Sequence, residues 1–409
     1  MVKCRACETP ITKSFVDLGV SPLGNSYLRP DQMADMEPFY PLHALVCDEC
    51  LLVQLDEFES PEHIFTEYAY FSSYSSTWLD HSRQYVDDVV KRFGIGTSSF
   101  VVEIASNDGY LLKNFVRLGI PCLGIEPAQN VAEVARKIAV PTHCAFFNRA
   151  EAGRLLSQYR RADLMVANNV FAHVSQLNSF VAGFKLFLAA DGVITFEFPH
   201  LLQLIENGQF DTIYHEHFSY FSLHSAKSVL ARHGLRIFDV ETLPTHGGSL
   251  RLFVCHDESK KHESQPRVAA LGDLEKKAGL EGIDGYTGFA ETVHRIKRDL
   301  LGFLIKAREG GKRIAAYGAP AKGNTLLNFC GIGTDFVDFT VDKSPHKQGK
   351  FLPGSRIPIL RPEELAARKP DYVWILPWNL EAEIIKQCRE DYGVKATFFV
   401  SHPRLKVIP

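Results

Sequence analysis

The chain has 409 residues, more than one hydrophobic core usually supports, so several domains are expected. Hydrophobic residues make up 45% and charged residues 23% of it, the composition of a soluble globular protein rather than of a disordered one. The net charge of -3 provides no general attraction for nucleic acid, and no apolar run is long enough to span a bilayer. We therefore expect a cytoplasmic monomer that binds neither nucleic acid nor membrane.

Two cysteine pairs, Cys4 with Cys7 and Cys47 with Cys50, have the CxxC spacing of zinc knuckles. Each turn aims two thiolates at one point, and two such turns complete a tetrahedron. Because four thiolates leave no open coordination position, we expect a structural zinc ion that performs no chemistry. Four unrelated buried thiols are the alternative. Residues 1–75 are predicted to form a zinc-binding domain that needs its metal, since periodic apolar stretches are few.

Strands and helices are predicted to alternate over residues 76–255. Apolar residues recur at helical spacing from Trp78 to Phe93, and further helices are expected around residues 130–138 and 176–188. Strand-like runs begin at Phe100, Cys122, Leu164 and Gly192. This alternation predicts a parallel α/β sheet and a Rossmann-like domain.

Residues 256–409 are predicted to contain a helical linker and a second Rossmann-like domain. Charges are frequent from Asp257 to Glu309 and apolar content is modest, which indicates exposed helices. Three short apolar strands follow, beginning at Arg313, Phe336 and Asp371.

A cofactor loop is predicted where Glu103-Ile-Ala-Ser-Asn-Asp-Gly109 follows a strand and precedes a helix. Methyltransferases place their glycine-rich S-adenosylmethionine loop there, but two of the usual glycines are replaced, so an ordinary turn is the alternative. Glu126 ends the next strand and can accept the ribose hydroxyls, although acidic residues also cap strand ends. A nicotinamide cofactor would need an intact Gly-x-Gly-x-x-Gly, which neither α/β unit has. The predicted cofactor contacts are Glu103, Ala105, Ser106, Asn107, Gly109, Glu126, Asn168 and Asn169.

Proton-transfer side chains occupy consecutive positions in Tyr214-His215-Glu216-His217. Imidazole and carboxylate together supply a base and its orienting partner, and a phenol can donate to an oxygen that gains charge. The alternatives are a metal-binding pair formed by His215 and His217, or a polar surface turn.

With these motifs the chain resembles the S-adenosylmethionine-dependent sugar C-methyltransferases of antibiotic deoxysugar pathways. The similarity runs over essentially the whole chain, through the CxxC pairs, the cofactor loop, Asn-Asn-Val-Phe-Ala-His173, Tyr-His-Glu-His-Phe-Ser-Tyr220 and His-Gly-Gly-Ser-Leu-Arg251. It accounts for the missing glycines, because Ala-Ser-Asn-Asp-Gly is that family's own loop. It implies an N-terminal domain that holds zinc with four cysteines, a central S-adenosylmethionine domain and a C-terminal Rossmann-like domain.

The resemblance also implies a reaction. In this family the substrate is a dTDP-linked 4-keto-deoxysugar, whose keto group acidifies the C3–H; a base makes the enolate, and the carbon attacks the methyl sulfonium. His217 is then the general base, although His215 lies two residues away, and Glu216 orients His217 or the substrate. Tyr214 and His173 contact the keto sugar, and Tyr68 closes the pocket.

Two further segments are candidates for holding the nucleotide sugar. His246, Ser249 and Arg251 belong to a glycine-containing stretch that offers backbone donors and a guanidinium, with a plain tight turn as the alternative. Lys322 and Asn324 open a helix after a strand, where backbone amides and a lysine can meet phosphate.

Two other functions compete with sugar methylation. A zinc-ribbon RNA methyltransferase is one, but the chain has 45 Lys and Arg against 48 Asp and Glu and no basic run. A catalytically inactive binding protein is the other, and the intact run of proton-transfer residues argues against it.

Overall fold

The computed structural model describes residues 2–61, 72–74 and 76–409. The N-terminal region is built on an antiparallel sheet that is more regular than the sequence predicts. Its strands are β1 (Lys13–Ser21), β2 (Tyr40–Val46) and β3 (Val53–Leu55). The apolar side chains of Phe15 and Leu42 are buried on one face, so packing as well as metal holds this region.

The central region alternates strands and helices. Its strands are β4 (Val101–Ile104), β5 (Cys122–Ile125), β6 (Thr142–His143), β7 (Ala162–Asn168), β8 (Leu188–Pro199), β9 (Ser219–Tyr220), β10 (Leu235–Leu243) and β11 (Ser249–His256). Its helices are α1 (Ser76–Phe93), α2 (Leu112–Arg117), α3 (Gln129–Lys137), α4 (Arg149–Leu155), α5 (Leu177–Phe187), α6 (Leu201–Glu206) and α7 (Leu223–Ala231). The helices predicted near residues 78–93, 130–138 and 176–188 are confirmed.

The central sheet has seven strands in the order β10-β11-β8-β7-β4-β5-β6. Strands β4 to β8 pair in parallel, as the alternation predicts. Strand β11 pairs antiparallel with both β8 and β10, and these antiparallel pairs are not part of the predicted alternation. A hairpin joins β10 to β11 and needs no crossover helix, so alternation of strands with helices could not reveal it.

Strand β9 is not part of this sheet; it pairs with β3 of the N-terminal region. The chain reaches β9 directly from the Tyr214–His217 stretch, so the N-terminal sheet and the predicted catalytic loop are adjoining structures. A two-residue strand of this kind depends on a distant partner and has no signature of its own in the sequence.

The C-terminal region is a second α/β unit. Its strands are β12 (Ile314–Tyr317), β13 (Phe339–Val341), β14 (Ile359–Leu360), β15 (Tyr372–Ile375), β16 (Thr397–Val400) and β17 (Lys406–Ile408). Its helices are α8 (Pro266–Lys277), α9 (Phe289–Glu309), α10 (Ala321–Cys330), α11 (Glu364–Arg368) and α12 (Glu381–Glu390). The sheet order is β14-β13-β12-β15-β16-β17, and β17 is antiparallel to β16 while the other pairs are parallel.

Helix α9 is more than the exposed linker that its charges suggest. Phe289, Val293 and Leu300 are buried, and Phe289 stacks on Phe15 of β1 with ring centroids 4.6 Å apart. One hydrophobic core thus runs from the N-terminal sheet through α9 into the C-terminal sheet. Among the helices in the described ranges, none is long and apolar enough to cross a membrane.

Candidate active site

The four cysteines predicted to hold zinc converge. Cys4 Sγ lies 3.4 Å from Cys50 Sγ, Cys7 Sγ lies 3.4 Å from Cys47 Sγ, and all four ligand atoms fall within 4.8 Å of one another. Zn–S bonds of about 2.3 Å in a tetrahedron put neighbouring sulfurs about 3.8 Å apart, so the cluster fits zinc. Gln54 Nε2 donates to Cys4 Sγ at 3.3 Å. Within the part of the chain that the structure describes, no other cluster of three or more His, Cys or carboxylate groups could hold a metal ion.

A cavity of about 460 Å³ lies where β4, β5, β7 and β8 end. This is the edge at which open α/β sheets bind ligands. The predicted site residues that line it are Ala105, Asn107, Glu126, Asn168, Asn169, His173, Tyr214, Glu216, His217, His246 and Lys322. Tyr68, predicted to close the pocket, lies outside the described residues.

The loop after β4 is shaped by backbone in the left-handed region. Ala105 and Asn107 have φ of 53° and 50° and line the cavity, so they adopt without glycine the conformation that a glycine-rich loop would use. Gly109, with φ of 78°, faces elsewhere: a Cβ there would lie 3.0 Å from Val140 Cγ2. Ser106 is fully buried and packs against Gly124. A Cβ added to Gly124 would lie only 2.3 Å from Ser106 Oγ. Gly109 and Ser106 therefore pack the loop onto the sheet.

Glu126 braces the same loop. Its Oε2 accepts from the Asn107 backbone N–H and its Oε1 from that of Ala128, each at 2.9 Å. Burial raises the pKa of Glu126 to about 7, against the lowering by these two hydrogen bonds. Each Glu126 oxygen keeps a second lone pair that can accept from a ligand. The contact of Glu126 with the ribose of S-adenosylmethionine stays a prediction. Glu103 lies in β4 outside the cavity, and burial followed by the charge of Glu126 raises its pKa well above the usual range.

Two asparagines at the end of β7 offer acceptors to a ligand. Asn168 and Asn169 each have a buried side-chain oxygen with no hydrogen-bond partner in the described part of the chain. Orphan acceptors of this kind are rare in folded proteins. They fit a ligand that donates hydrogen bonds, as the amino group and ribose of S-adenosylmethionine do.

His217 faces the cavity in a defined tautomer. Its Nδ1 lies 2.9 Å from the carbonyl oxygen of Thr212, which can only accept, so Nδ1 carries the proton. Nε2 is therefore bare and accepts from the Tyr214 hydroxyl at 2.9 Å. Burial, followed by the neighbouring His173, lowers the pKa of His217 well below its usual value. The imidazole is thus held neutral, the form that can take a proton.

His215 points elsewhere. Its Nε2 donates to the carbonyl of Pro41 at 3.1 Å, and its ring packs edge-on against Tyr40. Of the two histidines left open by the sequence, His217 lines the cavity and His215 does not.

Glu216 lines the same cavity as His217. Burial raises the pKa of Glu216 to about 7, while a hydrogen bond from Asn25 and the charge of Lys347 act in the opposite direction. His246 borders the same space in the left-handed conformation, with φ of 54°. Burial lowers the pKa of His246 to about 4, so it is neutral near pH 7.

Comparison with known proteins assigns the family. Three family profiles match: a zinc binding domain over residues 4–65, a methyltransferase domain over 78–240 and a C-methyltransferase C-terminal domain over 244–403. The C-methyltransferase NovU of Streptomyces niveus is 36% identical over 406 residues, which make up 99% of this chain and 96% of NovU. The chain belongs to the S-adenosylmethionine-dependent C-methyltransferase family. It is an enzyme that uses S-adenosylmethionine and holds zinc.

Two similar solved structures each align with less than half of this C-methyltransferase. The magnesium protoporphyrin IX methyltransferase of Synechocystis PCC 6803 is 12% identical, with 44% of this chain and 83% of that chain covered and a TM-score of 0.35. The CcbJ methyltransferase of Streptomyces caelestis is 12% identical, with 43% and 89% covered and a TM-score of 0.34.

In the C-methyltransferase, Arg251 and Ser249 do not form the predicted clamp on the cavity. Arg251 is buried, its Nη2 donates to Glu197 at 2.7 Å, and its Nη1 donates to Glu241 at 3.1 Å. Ser249 Oγ donates to the carbonyl of Thr245 at 3.0 Å. The physical reason is that the buried Glu197 carboxylate requires a counter-charge, which Arg251 provides inside the sheet.

Of the two predicted residues on α10, one lines the cavity and the other does not. Lys322 lines the cavity with its Nζ 4.5 Å from the centroid of the Trp378 ring, and it hydrogen-bonds Asn379. Burial lowers the pKa of Lys322 to about 8. Asn324 instead donates to the backbone oxygen of Gly24 at 2.6 Å and joins the N-terminal region to α10.

Several residues that line the C-methyltransferase cavity had no signal in the sequence. They come from all three regions and include Asn25, Trp78, Tyr110, Phe146, Phe147, Asn148 and Lys347. None belongs to a motif, and Asn25 and Lys347 reach the site only because the N-terminal and C-terminal regions pack against the central one.

Proposed function

We propose that this C-methyltransferase methylates C3 of a dTDP-linked 4-keto-deoxysugar, a step of antibiotic deoxysugar formation. The observation that carries the proposal is the neutral His217 with its bare Nε2 in the cavity, paired with the Tyr214 hydroxyl at 2.9 Å. Forming a bond to carbon requires removal of a C–H proton, and an imidazole held neutral is suited to that task.

His217 Nε2 takes the C3 proton, whose bonding pair passes into the enolate of the 4-keto group. The Tyr214 hydroxyl, released from Nε2, donates its hydrogen bond to the enolate oxygen. The Thr212 carbonyl, which accepts from Nδ1, stays bonded to the imidazolium formed at His217, and Glu216 lines the same cavity. S-adenosylmethionine would supply a methyl group on a positively charged sulfur: the enolate carbon's electron pair would form the new bond to the methyl carbon, and the C–S bonding pair would remain on the sulfur of a neutral thioether.

The same cavity also offers partners for a nucleotide diphosphate. Lys322 and Lys347, both from the C-terminal region, line it and offer positive charge to phosphate oxygens. The volume of about 460 Å³ is that of a small-molecule site. An RNA substrate is less well supported, because the chain has a net charge of -3 and no basic run.

The proposal is tested by incubating the enzyme with methyl-labelled S-adenosylmethionine and matched pairs of nucleotide sugars. Each pair contains a 4-keto sugar and the same sugar reduced to the 4-hydroxyl, linked to dTDP or to UDP. We expect label only in the keto member and preferentially with dTDP. Equal labelling of the 4-hydroxyl member contradicts an enolate mechanism.

A further inference from the structure

A short segment of the zinc-binding region extends into the cavity. Gly24 packs so closely on α10 that a Cβ there would lie 2.8 Å from the Cβ of Ala321. Its backbone oxygen accepts from Asn324 at 2.6 Å. The next residue, Asn25, lines the cavity, and it is distant in sequence from the four cysteines. The N-terminal region, besides binding zinc elsewhere, thus contributes a polar side chain to the cavity.

Asn25 is bonded at both ends of its amide. Its Nδ2 donates to Glu216 Oε1 at 2.5 Å. Its Oδ1 lies 3.1 Å from the Tyr27 hydroxyl oxygen, whose single proton has the backbone oxygen of Ala319, at 2.6 Å, as its shorter partner. An ionised carboxylate can only accept, so the N–H end of the Asn25 amide faces Glu216 and the oxygen end faces Tyr27.

We propose that Asn25 is a positioning residue of the transferase site: it fixes Glu216 Oε1 by a hydrogen bond and leaves Oε2 for the substrate. The proposal rests on the proposed function for the reaction that Glu216 serves. Its structural part, the control of the Glu216 carboxylate by Asn25, stands independently of which sugar is methylated.

Three residues with titratable side chains, from three parts of the chain, act on Glu216 or contact it. Lys347, from the C-terminal region, contributes a positive charge, and Tyr27 contributes a phenol whose own pKa is raised by burial. His173 hydrogen-bonds the backbone of Glu216. Burial favours the protonated carboxyl, whereas Asn25 and Lys347 favour the carboxylate. Removal of the Asn25 donor should therefore raise the pH at which Glu216 ionises.

Asparagine suits this position better than its acidic isostere. An aspartate at residue 25 would place a second carboxylate 2.5 Å from Glu216 Oε1, and two carboxylates that close must share a proton. An apolar residue of similar size would leave the Glu216 oxygen buried without its donor.

The experiment compares Asn25→Leu and Asn25→Asp with wild type and with Ser26→Ala, a change at the exposed neighbouring residue. The δ-carbon of labelled glutamate is titrated by NMR, and Glu216→Gln identifies the Glu216 signal. We expect Asn25→Leu to raise the titration midpoint of Glu216 by about one pH unit and Asn25→Asp to raise it further, while Ser26→Ala has no effect. The acid limb of kcat/KM should shift by the same amount.

An unchanged Glu216 midpoint in both Asn25 variants, with wild-type zinc content and thermal stability, overturns the inference. A raised midpoint without a shifted acid limb also overturns it, because Glu216 would then not serve the reaction through Asn25. The NMR titration needs no substrate. If wild type methylates no keto sugar, the proposed function fails, while a raised midpoint still establishes that Asn25 controls Glu216.

Discussion

Replacement of His217 by asparagine isolates the function of one nitrogen atom. The side-chain amide of the introduced asparagine can donate to the Thr212 carbonyl as Nδ1–H does now at 2.9 Å, so the loop should keep its shape. Nothing replaces Nε2. A positioned general base accelerates proton transfer by about 10²–10⁴-fold, so kcat should fall by that factor, equivalent to about 3–5 kcal/mol.

The loss should be visible in two assays. Methyl transfer is measured at saturating S-adenosylmethionine and keto sugar, and exchange of the C3 hydrogen is measured in deuterated water with S-adenosylhomocysteine in place of the methyl donor. Both should fall together in His217→Asn, because both need the proton to be removed. Binding of S-adenosylhomocysteine should be unchanged.

His215→Asn is the matched control. Its imidazole donates to Pro41 at 3.1 Å and does not line the cavity, so the change should cost about 1 kcal/mol of stability and leave kcat near wild type. If His217→Asn kept more than about a tenth of kcat while His215→Asn lost it, the assignment of the base would be refuted.

Three further predictions concern zinc, cofactor and stability. Cys47→Ser should lose the bound zinc and destabilise the N-terminal region, whose apolar packing remains, as metal analysis and thermal unfolding would show; full zinc content contradicts the four-cysteine site. Glu126→Gln should weaken S-adenosylmethionine binding with the fold intact, and an unaltered calorimetric affinity would remove Glu126 from the site. Arg251→Met leaves the buried Glu197 with only His81 and Thr245 as side-chain partners and should lower the free energy of unfolding by about 3 kcal/mol without changing KM, whereas a raised KM at unchanged stability restores the clamp hypothesis.

Local patterns were sufficient to predict most of the fold. Strands β4 and β5 are short apolar runs bounded by turns, and the CxxC pairs need only their own spacing to form a metal site. The antiparallel β10–β11 hairpin was missed, because the expected alternation of strands and helices does not include it. The packing of α9 was missed because its charged face masks the buried Phe289 and Val293.

The site was predictable where chemistry is concentrated in adjacent residues. Tyr214, Glu216 and His217 are such a group, and the structure brings them into one cavity. Asn25 and Lys347 were not predictable, since each is an ordinary polar residue that reaches the site through long-range packing. Arg251 was misassigned because a guanidinium beside two glycines suggests phosphate binding, while its partner Glu197 lies 54 residues away in sequence.

The most direct test of the central claim is the position of the new methyl group. We expect two-dimensional NMR of the product from a dTDP-4-keto-deoxysugar to show the methyl protons correlated with C3 and the C3 proton lost. A methyl group on oxygen or nitrogen, or on a carbon not adjacent to the keto group, would contradict the account.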